Sequence, residues 1–292
     1  MTVIDTQYED AGRKLIDRGV WVENTRTGHR CKTLVGETFE WDLSDGRHPV
    51  VTTRPVPIKL PVAELIGYLR GYTNADDFAR IGAKSWYTNA NETAAWLANP
   101  NRKGENDTGL VYGGVSRNWP MVNGNQITTI DTVKDVFERL ERCEDDRGLI
   151  VTHWNPGMFH LGALRPCMHT YNFAILGDQV HGEFYSRSMD MPLGGPANLM
   201  QASILTHLAA RLAGLRPGRA RLHVTNLHVY ENQYDKFCWQ MERDPLPMPK
   251  MALSDRIQTF NDIENVMTAG DVLLSEFDHR ETYEQIWYPL AA

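Results

Sequence analysis

Two alternating runs that meet at a turn, with a long apolar stretch directly after them, restrict this chain more than any other feature. Residues 168–191 read MHTYNFAILGDQVHGEFYSRSMDM, and the alternation on both sides of Gly177-Asp178 predicts two long strands joined by a tight turn. Residues 197–215, ANLMQASILTHLAARLAGL, predict the most apolar helix, ending at Gly214. Strands and helices in one unit, each with a face to bury, predict a layered α/β (α+β) fold in which helices pack on a mixed sheet.

The remaining segments extend that pattern. TQYEDAGRKLIDRGV predicts a first helix, and HRCKTLVGETFEWDL alternates like strands, with SDGRHP as their turn. PVAELIGYLRGYT has helical spacing and stops at Gly71, NADDFARIG predicts a short capped helix, and TIDTVKDVFERLERC an amphipathic one. GLIVTHWN predicts a buried strand, and RARLHVTNLHVYENQ a strand leading into a short helix. From Trp86 to Gly114 the chain is polar and rich in Asn, which predicts a surface excursion of the lid type. No repeat, low-complexity tract or long linker interrupts the 292 residues, so one domain over 1–292 is expected.

Composition narrows the partners. A formal charge of -7 provides no basic field for a nucleic-acid backbone, so no polymer substrate is expected. The four cysteines, Cys31, Cys143, Cys167 and Cys238, show no CxxC pairing, which favours a reducing compartment. The N-terminus lacks the apolar core of a signal peptide, and no apolar run approaches the roughly 18 residues of a membrane span. A cytoplasmic protein without a membrane partner is the expectation.

Five places hold residues suited to chemistry. Cys167, after Pro166 at a strand entry, is either a thiolate nucleophile or a small buried hydrophobe. In YSRSMDMPLGGPAN, Arg187 and Ser188 offer a guanidinium fork and a hydroxyl to a phosphate, and Asp190 stands at a strand end. Gly194 and Gly195 allow close backbone approach, and Asn198 opens the apolar helix as ligand contact or cap. Arg26, Thr27 and Gly28 form a polar loop that either closes over an anion or only turns. His228 and Tyr230 share one side of a strand. Glu64 is a carboxylate within an apolar helix pattern, costly to bury unless it is used or paired. A zinc reading of Cys167 and His169 is poor, because no second ligand pair has metal spacing.

Taken together and in this order, RPCMHTYNF, YSRSMDMPLGGPAN, NLHVYEN, TRTG, VTTRPVPIKLPVAELIGYLRGYTN, LVYGGVSRNW and the terminal PLAA resemble the thymidylate synthase family over nearly the whole chain. The resemblance implies that family's fold and a one-carbon transfer from 5,10-methylenetetrahydrofolate to C5 of a pyrimidine deoxynucleotide monophosphate, without a metal. It implies Cys167 as the nucleophile that adds to C6, Glu64 for proton handling through ordered water, and Tyr112 and Trp86 as lining. Asp190 is implied as anchor of the folate ring beside Gly194, and Arg26, Arg187 and Ser188 as phosphate ligands. Asn198 is implied at the pyrimidine edge, and His228 and Tyr230 at the sugar hydroxyl. It also implies a homodimer in which Arg147 reaches the other subunit's phosphate.

The chain departs from the family pattern in places. Met168 comes after Cys167 where the family has His, Gly148 after Arg147 where it has a second Arg, and Tyr87 after Trp86 where it has Asp. Arg165 precedes the Pro-Cys pair. These changes resemble the pyrimidine nucleotide hydroxymethylases of phages and nucleoside pathways, in which water rather than hydride completes the reaction. The expectation is therefore hydroxymethylation of dUMP in the cytoplasm, a phage host's included. Thymidylate synthesis with dihydrofolate as co-product, and hydroxymethylation of a cytosine nucleotide, are the alternatives. Asn198 favours uracil over cytosine, because its amide offers both an acceptor and donors.

Overall fold

The computed structural model describes residues 3–24, 28–277 and 282–290. Helix α1 (Gln7–Arg18) leads into strands β1 (Val20–Asn24) and β2 (His29–Asp42). Five helices come next: α2 (Lys59–Leu69), α3 (Ala75–Arg80), α4 (Trp86–Asn91), α5 (Ala94–Leu97) and α6 (Gly113–Ser116). A hairpin of β3 (Trp119–Asn123) and β4 (Gln126–Ile130), helix α7 (Thr132–Glu141) and strand β5 (Ile150–Thr152) precede β6 (Met168–Leu176), β7 (Gln179–Ser186) and β8 (Met189–Asp190). Helix α8 (Gly194–Leu212), β9 (Arg216–Tyr230) and α9 (Tyr234–Met241) continue the chain. The order closes with β10 (Lys250–Leu253), α10 (Phe260–Asn265) and β11 (Val272–Ser275).

The expected hairpin forms as β6 and β7, and the expected apolar helix sets the direction of the long strand after it. A strand that leaves a sheet through a helix returns parallel to itself. The chain leaves β7, crosses through α8 and re-enters as β9, which lies parallel to β7 and also pairs in parallel with β8. The other pairings in the main sheet are antiparallel, in the order β1-β2-β9-β7-β6-β5. The sheet is therefore mixed, as the layered reading requires.

Helix α8 is apolar almost all round because it is buried almost all round, from Leu199 to Leu212. Leu199, Ile204, Leu205 and Leu208 join Phe39, Trp41, Phe173, Phe184 and Leu222 of the strands in one core. Each such side chain contributes on the order of 1.5–3 kcal/mol by leaving water. Gly182 lets the helix approach: a Cβ there would stand 2.4 Å from Thr206 Oγ1.

Three local expectations change. The Asn-rich stretch from Trp86 to Gly114 is packed rather than a free lid. Trp86, Ala90, Trp96 and Val111 are buried, and Asp76, Asn91 and Asn106 spend their polar groups on one another and on Tyr87. The strand of GLIVTHWN is a three-residue edge strand with Val151 buried and Ile150 exposed. Helix α8 starts at Gly194, four residues before Asn198, so Asn198 lies inside the helix and is not its cap.

Buried imidazoles set the acid behaviour of the fold. Burial lowers His48 and His153 to about 3 and His207 to about 4. Their stabilisation is present above the ordinary imidazole value and is lost as pH falls below it, because the unfolded chain takes up protons that the folded chain refuses. Burial raises Glu9 to about 7 and Asp190 to about 6, and there the folded chain holds the extra proton. Those carboxyls oppose the imidazoles until pH falls to the ordinary carboxyl range, about 4. Thermal melting should therefore change little from pH 7 to pH 5, then fall steeply below about 4.5. A steep fall already complete above about pH 5.5 contradicts this balance.

Candidate functional site

The site collects at the C-terminal ends of β7 and β8, the start of β6 and the turns between them. Cys167 stands just before β6, partly exposed. Its backbone N–H donates to Tyr112 Oη at 3.1 Å. Arg187 Nη2 lies 3.8 Å from Cys167 Sγ, and the same guanidinium donates to the carbonyls of Pro166 at 2.9 Å and Arg165 at 3.0 Å. The cation is thus fixed by the loop that carries the thiol, and a cation beside sulfur favours its thiolate. Among the described residues Arg187 has no carboxylate partner in an ion pair, which leaves its charge for thiolate or anion.

Tyr112 is placed by strain. Its φ of 42° lies in the left-handed region, and Gly113 after it packs so closely that a Cβ would meet Tyr68 O at 1.6 Å. The Tyr112 ring stacks on Tyr68 at 4.1 Å and meets Trp86 edge-on at 6.2 Å. Burial pushes both phenols well up, so they remain protonated donors. Beneath them His153 Nδ1 lies 2.9 Å from Ser116 Oγ, and its ring meets Tyr112 at 5.7 Å and Tyr171 at 4.8 Å.

Glu64, on α2, is the carboxylate of this wall. Burial raises its pKa, and the hydrogen bond from Ser85 opposes the rise. Its carboxylate acts on both Tyr68 and Tyr112, whose phenols also feel the Cys167 thiol. A carboxyl raised by burial, next to phenols that also feel a thiol, is equipped to take up and release protons during a reaction.

Asp190 ends β8. Leu193 N donates to Oδ1 and Gln233 Nε2 to Oδ2, both at 3.2 Å, while burial raises the carboxyl to about 6. Gln233 also donates to Pro289 O at 3.0 Å and accepts from Tyr230 N at 3.1 Å. One side chain therefore ties Asp190, the His228–Tyr230 strand and the C-terminal segment together. His228 Nδ1 is 2.9 Å from Asn226 Oδ1, and its ring meets Tyr230 edge-on at 5.0 Å. Arg54 Nη2 donates to Pro192 O at 2.6 Å beneath the loop after Asp190, with Tyr288 on its guanidinium face.

Contacts join Cys167, Arg187, Tyr112, Trp86 and Glu64 in one group, and Gln233 and strand pairing join Asp190 to His228 and Tyr230, while Ser188 precedes β8, Gly194 opens α8 and Asn198 lies within α8. Arg26 lies outside the described residues, as do the last two residues of PLAA. Arg147 is exposed in the turn before β5. Gln233, Arg54, His153 and Ser85 join the site without having stood out in the sequence. Of these only Arg54 carries a signal, as a cation in an apolar stretch.

A thiol next to a fixed guanidinium, with a half-buried carboxyl near two stacked phenols, suits nucleophilic catalysis through sulfur. The chain belongs to the thymidylate synthase family: the family model described as thymidylate synthase matches residues 6–290. It is 43% identical to the thymidylate synthase of Idiomarina loihiensis over 286 residues, 98% of this chain and 99% of that one. It is 42% identical to that of Shewanella loihica and 41% to that of Haemophilus influenzae strain PittGG, with the same coverage. It is accordingly a one-carbon transferase with methylenetetrahydrofolate as cosubstrate. No helix among the described residues is long and apolar enough to cross a membrane.

Proposed function

We propose that this enzyme methylates C5 of dUMP, yielding dTMP and dihydrofolate. The observation that carries the reading is where the departures from the family pattern fall. Met168 is 1% exposed and packs in the core, away from the thiol's solvent side. The Tyr87 hydroxyl donates to Asp76 at 2.8 Å and ties α4 to α3. Gly148 sits in an exposed turn. These changes leave the wall of Trp86, Tyr68 and Tyr112 intact, and a packed indole keeps water from the reacting carbon. The hydroxymethylation expected from the same residues loses its main support, and relatives 41–43% identical are named thymidylate synthases.

In this reading Cys167 adds to C6, so that C5 becomes a carbon nucleophile. The folate supplies the one-carbon unit and then hydride. Arg187, Ser188 and Arg26 hold the phosphate, Asn198 reads the uracil edge, and His228 with Tyr230 holds the sugar hydroxyl. Glu64 handles the protons, Tyr112 orients the thiol loop, and Asp190 beside Gly194 and Trp86 receives the folate ring. The assembly is a cytoplasmic homodimer with Arg147 reaching the partner's phosphate.

Incubation with methylenetetrahydrofolate and either dUMP or dCMP, with mass spectrometry of the nucleotide afterwards, tests the reading. The expected result is dTMP from dUMP with one dihydrofolate per turnover, and little product from dCMP. Formation of 5-hydroxymethyl-dUMP with tetrahydrofolate restored overturns the methyl reading, and preference for dCMP overturns the role of Asn198.

A further inference from the structure

Glu64 has a partner that the roles above do not use. Ser85 Oγ donates to Glu64 Oε1 at 2.6 Å. Ser85 stands at the N-cap position of α4, where a serine hydroxyl ordinarily accepts from the helix backbone. Here it makes no cap bond, and the hydroxyl turns to the carboxylate instead. Its backbone is well anchored, because the next residue is Trp86, 2% exposed and stacked on Phe78 at 5.0 Å. Ser85 itself remains exposed.

We propose that Ser85 is a positioning residue for Glu64, holding one carboxylate oxygen so that the other is presented to the reacting base. The inference rests on the dUMP reading and deepens it. A donor to a carboxylate stabilises its charged form, and removing the donor disfavours that form. Facing Glu64 are the Tyr68 phenol from its own helix, the Tyr112 phenol from the turn before α6, and the Ser85 hydroxyl from before α4. From α8, Gln201 reaches the Pro61 carbonyl at 3.0 Å, one turn earlier on α2. Glu64 makes no ion pair among the described residues. No fixed cation is therefore at hand to take over when Ser85 is removed.

Release of tritium from C5-labelled dUMP, measured across acid and neutral pH, isolates this step. It reports C6 attack and loss of the C5 proton whichever product forms. In Ser85→Ala, kcat should fall about 10-fold on the acid side, the worth of one hydrogen bond to a charged group. Its acid limb should move to higher pH, with KM for dUMP unchanged. Ser85→Thr, which keeps the hydroxyl, should restore the profile. An Ala profile that superimposes on wild type overturns the proposal, as does an equal loss at every pH that Thr does not restore. Absence of release from the wild type overturns the dUMP reading beneath it, a result separable from both.

Discussion

Cys167→Ala should abolish turnover while leaving nucleotide binding almost unchanged. In the proposed mechanism the thiol supplies the electron pair for attack on C6, and the other cysteines lie elsewhere in the chain's elements: Cys31 in β2, Cys143 just after α7 and Cys238 in α9. Removal of a covalent nucleophile costs on the order of 10⁴–10⁶ in kcat. The Arg187 guanidinium keeps its place, because it also donates to the Pro166 and Arg165 carbonyls and lies over the Trp154 ring. The Cys167 amide likewise keeps its bond to Tyr112, which is backbone on that side. Calorimetric titration with dUMP should therefore give an affinity within a few-fold of wild type, whereas product formation should fall below detection. Turnover retained within about 100-fold of wild type removes Cys167 from the mechanism.

That prediction joins residues legible in the sequence to contacts that are not. The β6–β7 hairpin and α8 are legible because their periods and turn are local: alternation around Gly177-Asp178, then an apolar run ending at Gly214. Their consequence, the parallel return of β9, comes from chain geometry. The motif residues are legible because each sits in a short signature. Gln233, His153 and Ser85 are not, since each acts through a partner 21 to 56 residues away. No local pattern marks a serine that abandons its helix cap for a distant carboxylate. The stretch from Trp86 to Gly114 misleads for the same reason. Asn91 and Asn106 read as solvent-facing, but they satisfy each other and Asp76 while Trp86 and Trp96 fill the interior. The expectation of hydroxymethylation rests on residue types at three positions, and of these Met168 is turned into the core while Tyr87 is bonded to Asp76 of α3.

Arg147 yields the second large effect in the proposed homodimer, where its exposed side chain is the one expected to reach the partner's site. The residue has φ of 69°, a left-handed conformation costing on the order of 1–3 kcal/mol outside glycine. Neighbouring carboxylates stabilise it: Arg147 N donates to Asp145 Oδ1 at 2.7 Å, and Gly148 N to Asp146 Oδ1 at 2.8 Å. Asp145 in turn accepts from Ile175 N of β6 at 2.8 Å, so the turn is pinned to the sheet. The guanidinium makes no ion pair among the described residues, although two aspartates precede it. A turn held in this way presents a cation outward beside the sheet edge, where a second copy would receive it. Arg147→Ala should raise KM for dUMP by about 10-fold or more, the worth of a charge-assisted contact. Mixing it with the inactive Cys167→Ala protein should then restore activity. In a mixed dimer one site takes its thiol from the first subunit and its arginine from the second, and that site is intact. Random exchange makes half the dimers mixed, each with one of two sites intact, so about a quarter of wild-type activity should return at low dUMP. Failure to recover activity after native mass spectrometry has shown subunit exchange would place Arg147 outside the site.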